Sequence, residues 1–168
     1  PWTSGQYDAQ PRWSPDGRHV LFTSDRDGGD NVWTIDVATR ATKQVTKGKT
    51  SRYRSPAWTP DGQYIVVSRA PAAIGPSKLY MYHKDGGGGI QLIKDPSPMP
   101  AGAFPLTTLG PAFGPDDRYI WYAQRAASWE YNAGMPQYQL MTFDRRTGRR
   151  DTRANMLGSA FRPALSPD

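Results

Sequence analysis

Nearly the same phrase stands at four places in this 168-residue chain: PRWSPDG at 11–17, PAWTPDG at 56–62, PAFGPDD at 111–117 and PALSPD at 163–168. The phrase has a mechanical logic. In Ser14-Pro15-Asp16-Gly17 the proline presets φ at the first central turn position. The aspartate can bond back to the backbone, and the glycine accepts the left-handed conformation that closes a tight hairpin. The third copy has Asp117 where the first two have glycine, which aspartate tolerates at some cost.

After each turn comes a run rich in β-branched and aromatic residues: HVLFTS from His19, YIVVS from Tyr64, YIWYA from Tyr119. All are apolar on both pleat faces, as a strand sandwiched between sheets must be. A third strand follows as NVWTIDV from Asn31, KLYMYHK from Lys78 and YQLMTFD from Tyr138. A fourth, more polar, is read in KQVTK from Lys43, IQLIK from Ile90 and DTRANM from Asp151. The leading prolines are 45, 55 and 52 residues apart, and such a period built from short strands predicts propeller blades rather than a helical solenoid.

The expected fold is therefore an all-β propeller of four-stranded antiparallel blades, with three complete blades at about 11–54, 55–110 and 111–161. Residues 1–10 read as the end of a preceding blade and 162–168 as the first strand of a following one. Three blades cannot close a ring, and an open arc leaves two apolar blade flanks in water. Either the chain is cut from a longer propeller or copies associate. A homodimer of two arcs would supply six blades, inside the usual range of about four to eight.

Composition narrows the chemistry. The net charge is +6, yet the arginines are scattered, and the denser runs at 43–54 and 144–153 fall where hairpins are expected, so solvated edges explain them better than nucleic acid. With no cysteine, disulfides, thiolate metal sites and a cysteine nucleophile are excluded. No apolar run approaches the roughly 20 residues of a membrane span, so no membrane insertion is expected, and no signal-peptide pattern opens the sequence.

In an up-and-down sheet the connections alternate between two ends. One end has only short turns, SPDG, TPDG, GPDD, VATRAT, KDGGGG and DRRTGRR; the other has SDRDGGDN from Ser24, RAPAAIGPS from Arg69, QRAASWEYNAGMPQ from Gln124, and the inter-blade stretches from Gly48 and Lys94. Long loops on a rigid scaffold are where binding concentrates. The candidate binding residues are Arg52, Tyr53, Arg54, Trp129, Glu130, Tyr131 and Asn132, with Met99 and Phe104 near them, since arginine and aromatic side chains anchor protein interfaces.

Catalytic chemistry is sparse. The two histidines, His19 and His83, sit at strand edges, and no HxH or HExxH pattern exists, so no catalytic residue is assigned. Asp25, Asp27 and Asp30 resemble half of a calcium loop without its remaining ligands, and the alternative is a turn capped by these carboxylates. KDGGGG lacks the lysine and helix of a phosphate loop and reads as a flexible hairpin. Trp13, Trp58, Phe113 and Leu165 share one register of the first strand and are expected to be blade core. No cofactor is called for.

The stretch PRWSPDGRHVLFTSDRDGGDNVWTIDVATRATKQVTKG resembles the TolB-like propeller repeat over essentially the whole chain. A narrower likeness, carried by GGDNVW at Gly28, LYMYHKDGGGGIQLIK at Leu79, PAFGPDDRYIWYAQ at Pro111 and WEYN at Trp129, is to the propeller region preceding the barrel of bacterial metal-dependent amidohydrolases. Gly114, Asp117 and the proline-rich insertion 96–105 depart from that pattern. The resemblance implies a non-catalytic scaffold or protein-interaction module of a larger bacterial protein, periplasmic or otherwise extracytoplasmic, with a protein partner or an attached catalytic domain. The alternative it leaves open is an accessory propeller that gates or completes an attached hydrolase, of amidohydrolase or prolyl-oligopeptidase type.

Overall fold

The computed structural model describes residues 7–73, 75–125, 137–154 and 162–166. Among them are twelve strands and no helix. The first sheet holds β1 (Asp8–Trp13), β2 (His19–Ser24), β3 (Asn31–Asp36) and β4 (Thr42–Gln44). The second holds β5 (Arg52–Trp58), β6 (Tyr64–Ala70), β7 (Lys78–His83) and β8 (Gly86–Gln91). The third holds β9 (Thr108–Phe113), β10 (Tyr119–Arg125), β11 (Tyr138–Asp144) and β12 (Arg150–Ala154). Each sheet is antiparallel in simple sequence order, the blade arrangement that the repeat predicted.

The sheets are held face to face by two apolar clusters. Leu21, Val32 and Val45 of the first sheet and its exit segment meet Tyr53, Ile65, Val67 and Tyr82 of the second. From the other side of β6, Val66 joins Leu79, Ile93, Ile120, Tyr122 and Met141 in the cluster shared with the third sheet. Period-2 alternation thus sends neighbouring residues of one strand into two different cores. Each fully buried aliphatic side chain contributes roughly 1.5–3 kcal/mol of transfer free energy.

The repeated turn is built as its residues dictate. Ser14 Oγ donates to Asp16 Oδ1 at 2.6 Å and accepts the His19 N–H at 2.9 Å. Thr59, Asp61 and Tyr64 repeat the pair of contacts at 2.5 and 3.0 Å. Gly17 and Gly62 both sit at φ 68°. The third copy has Gly114 in place of the hydroxyl residue and Asp117 at φ 49°. There Arg145 substitutes for the lost bonds, donating to the Asp117 carbonyl at 3.0 Å and its carboxylate at 2.7 Å.

Three departures from expectation are informative. Arg52, Tyr53 and Arg54 are not in an inter-blade loop but open β5, and β1 similarly begins at Asp8, ahead of its proline. The first strand is longer than the phrase because it carries a bulge: the residue before each proline, Gln10, Ser55, Gly110 and Arg162, has φ of 57°, 51°, 62° and 54°, and pairing in β1, β5 and β9 skips there. Second, the fourth strand of the second sheet is not IQLIK but Gly86–Gln91. A Cβ on Gly89 would lie 2.4 Å from the Tyr82 ring, so bare backbone is what lets the strand pass over that ring. Third, Trp13 is 60% exposed rather than core, because among the described residues no sheet stands on its side of the first blade; Trp58 and Phe113 pack partly buried against the two clusters.

Candidate functional site

At the end of the inner strands where the longer loops lie, Tyr7, Gln10, Asp25, Asp30, Arg52 and Arg54 gather around a cleft of about 470 Å³. Arg162, from the fourth copy of the phrase, and Tyr53 also border it. Strand geometry explains the division of labour. In β5 successive side chains alternate, so Arg52 and Arg54 face solvent while Tyr53, 4% exposed, points into the first cluster. Tyr53 lies edge-on to Tyr82 at 6.0 Å and under the Arg69 guanidinium at 5.9 Å. It props the cleft from below rather than offering a contact surface.

The charges within the cleft are unequally engaged. Arg52 Nη1 pairs with Asp30 Oδ2 at 3.0 Å, while Arg54 donates no hydrogen bond and forms no ion pair with a described residue. An exposed guanidinium beside a satisfied ion pair leaves a fork of donors for a carboxylate from outside. The three aspartates of the calcium motif diverge. Asp25 Oδ1 accepts the Tyr7 N–H at 3.0 Å, Asp27 Oδ2 accepts from Gln44 Nε2 at 3.0 Å, and Asp30 takes Arg52. The described residues hold no group of three or more His, Cys, Asp or Glu side chains placed to bind a metal ion.

Trp129, Glu130, Tyr131 and Asn132 lie outside the described residues. Phe104 and Met99 are 61% and 37% exposed in the segment that joins the second and third sheets. His19 opens β2 and His83 closes β7, at the short-turn end, away from the arginine cleft.

The opposite end of the inner strands has a different lining. Trp13, Trp58, Phe113 and Leu165, the four residues at one register of the repeat, surround a cavity of about 450 Å³ together with Pro15, Pro60 and Pro115. The inner strands therefore run from a charged mouth to an apolar one. Sequence reasoning placed the four residues at one register but could not show that they border one cavity shared by successive inner strands.

The outer flanks are also organised. On the face of the first sheet turned from the second, the Arg26 guanidinium lies 5.0 and 5.1 Å from the ring centroids of Phe22 and Trp33. It is anchored by Ser24 Oγ and Asp8 Oδ1 at 3.0 and 2.9 Å. On the far face of the third sheet, Arg153 lies 5.9 Å from the Trp121 centroid. Stacked guanidinium groups hydrate apolar flanks at modest energetic cost.

Sheets of four antiparallel strands, stacked face to face with their first strands gathered at a common inner edge, are the blades of a β-propeller. Within that class the chain has a TolB-like propeller architecture. It is 30% identical over 87 residues to the Tol-Pal system protein TolB of Anaeromyxobacter dehalogenans, a match covering 52% of this chain and 19% of that protein. Its structure superposes on that of a TolB-type protein of Agrobacterium tumefaciens with a TM-score of 0.72 at 20% identity, over 96% of this chain and 50% of that one. A puromycin-hydrolyzing peptidase of Mycobacterium tuberculosis shares the fold at a TM-score of 0.70 and 16% identity, over 97% of this chain and 25% of that one. No family model matches the chain. The sequence spans about a fifth of the length of the curated TolB relative it matches.

Proposed function

We propose that this chain is a non-catalytic propeller segment that recognises a protein partner at the charged mouth of its inner strands. The single observation that carries the reading is the exposed Arg54 beside the Arg52–Asp30 pair in a cleft built by three parts of the repeat. The partner's contribution is an acidic side chain or a terminal carboxylate, which a guanidinium fork receives in bidentate fashion. An extracytoplasmic setting accords with the likeness to TolB. Capture experiments with the chain as bait test the reading: Arg54→Glu should abolish recovery of the partner, and Arg54→Ala combined with Trp129→Ala should reduce it. Undiminished capture by both variants contradicts it.

The likeness to a peptidase favours a second reading, in which the blades gate or complete an attached hydrolase, of peptidase or amidohydrolase type. The coding sequence beyond Asp168 discriminates the two: a metal-binding barrel or a GxSxG hydrolase supports the second, further blades the first. The two flanks under Arg26 and Arg153 are then met by neighbouring blades, or by a second arc in a homodimer of six blades. Sedimentation equilibrium at twice the chain mass supports pairing, and a monomer excludes it.

A further inference from the structure

Between the first and second sheets, at the short-turn end and off the inner axis, lies a cavity of about 570 Å³ that the partner-binding reading does not use. This size falls within the range of roughly 300–1,000 Å³ typical of small-molecule sites. Its inner rim closes where the Pro15 ring approaches Gly62, with Pro15 Cδ 3.8 Å from the position a Cβ would take. Its outer rim closes where Lys43 of β4 pairs with Asp85 of the second sheet's last turn. Both blades are therefore needed to form it.

The lining combines acceptors, donors and apolar surface. Asp16 and Asp61, the aspartates of two successive repeats, each commit Oδ1 to a hydroxyl and a backbone N–H of their own turn. That leaves each Oδ2 without a donor among the described residues. These internal bonds also draw both carboxyl groups below their usual range; for Asp61, burial partly opposes the effect. Among donors, the Lys84 ammonium makes no hydrogen bond or ion pair with a described residue, and Gln63 Nε2 reaches only its own turn's carbonyl at 3.4 Å. The Trp58 ring and the two turn prolines supply apolar surface.

From this arrangement we infer that the cavity binds a small polyhydroxylated ligand of mono- or disaccharide size. Hydroxyl groups both donate and accept, so one ring can donate to the free carboxylate oxygens and accept from Lys84 and Gln63. The C–H face of a sugar ring meets Trp58 and the prolines. A singly charged ligand fits less well, because lysines and aspartates of opposite sign stand close together on the same walls. The fixed turns hold the acceptors in place before binding, which lowers the ordering cost.

The test is titration of the 168-residue chain with glucose, galactose, N-acetylglucosamine and their disaccharides, followed by saturation transfer to sugar protons and by tryptophan fluorescence. At least one sugar should bind saturably, with the fluorescence change removed in Trp58→Phe. Asp61→Asn keeps the Oδ1 acceptor that holds its turn, and Lys84→Met gives up no hydrogen bond or ion pair with a described residue, so both should fold with wild-type circular dichroism. Each should weaken binding roughly tenfold or more, while Lys49→Ala, on the exit segment at the other end, should not. The inference is overturned if no sugar of the panel binds, if binding ignores both Asp61→Asn and Lys84→Met, or if acetylated dipeptides bind in place of the sugars.

Discussion

The backbone N–H of Ser55 donates to Oε1 of Gln10 at 2.5 Å, across 45 residues of sequence, from the bulge of one blade to the bulge of the next. Both residues hold positive φ, and at the bulge the Ser55 N–H is satisfied by the neighbouring blade. At the following junction the Gly110 N–H donates to Ser68 Oγ at 3.2 Å. Side-chain-to-backbone bonds thus reinforce each junction, from β5 to β1 at the first and from β9 to β6 at the second, beside the backbone pairs Tyr53 N–H to the Asp30 carbonyl and Thr108 N–H to the Ser77 carbonyl. Gln10→Ala should lower stability by about 1 kcal/mol, read as a reduced urea midpoint with an unchanged slope. An unchanged midpoint would show that the bond contributes nothing net.

Gly110 is the one bulge position with no side chain, and the reason is steric. It sits at φ 62°, and a Cβ there would lie 3.1 Å from Arg162 Cα. Gly110→Ala should cost about 1–2 kcal/mol from the left-handed conformation alone, with a further loss as the 162–166 segment is displaced. The same urea series measures it, and a neutral substitution would contradict the close approach.

Tyr122 is buried in the cluster between the second and third sheets, and its hydroxyl has no hydrogen-bond partner among the described residues. Burial pushes its ionisation up to about 12 from the ordinary 10. Tyr122→Phe should raise stability by about 1 kcal/mol, since an unsatisfied buried polar group is removed without changing the ring. The folded pKa is raised, so ionisation favours the unfolded chain as pH climbs from about 10 towards 12. The phenylalanine variant should lose that part of the alkaline destabilisation. Thermal melts across this window decide the matter.

The Arg118 guanidinium, 2.8 Å from Asp144 Oδ2, draws that carboxyl down to about 2, helped by the N–H groups of Arg146 and Thr147. A depressed folded pKa contributes stability that is complete above the ordinary value of 3.8 and is lost as pH falls from there towards 2. Arg118→Ala should raise the Asp144 pKa, read from its carboxyl carbon shift, and move the acid-unfolding midpoint upward. A carboxyl that titrates unchanged in the variant rules out this pairing.

How far the sequence reveals this molecule depends on how local the determinant is. The turn is legible because Ser14, Pro15, Asp16 and Gly17 do their work within four residues, and β2, β6 and β10 are legible because burial on both faces requires continuous apolar runs. The bulges are not. Gln10, Ser55 and Arg162 have no composition that announces positive φ, and the conformation is imposed by the neighbouring inner strand. For the same reason Arg52, Tyr53 and Arg54 read as polar loop, although the alternation of Arg52 and Arg54 around a buried Tyr53 is a strand signal visible in hindsight. The glycines of β8 read as hairpin, since glycine has low strand propensity, while their role is to clear the Tyr82 ring, a contact no local pattern encodes. The 570 Å³ cavity also escapes sequence reading, because its lining comes from two blades that meet only in the folded molecule.

Docking of a partner protein on the charged mouth is best decided by hydrogen–deuterium exchange with and without the captured partner. Added protection should concentrate at residues 7–10, 24–30 and 50–55, with little change in the turns at 14–17, 59–62 and 114–117. Protection confined to those turns, or to the flanks under Arg26 and Arg153, would contradict it.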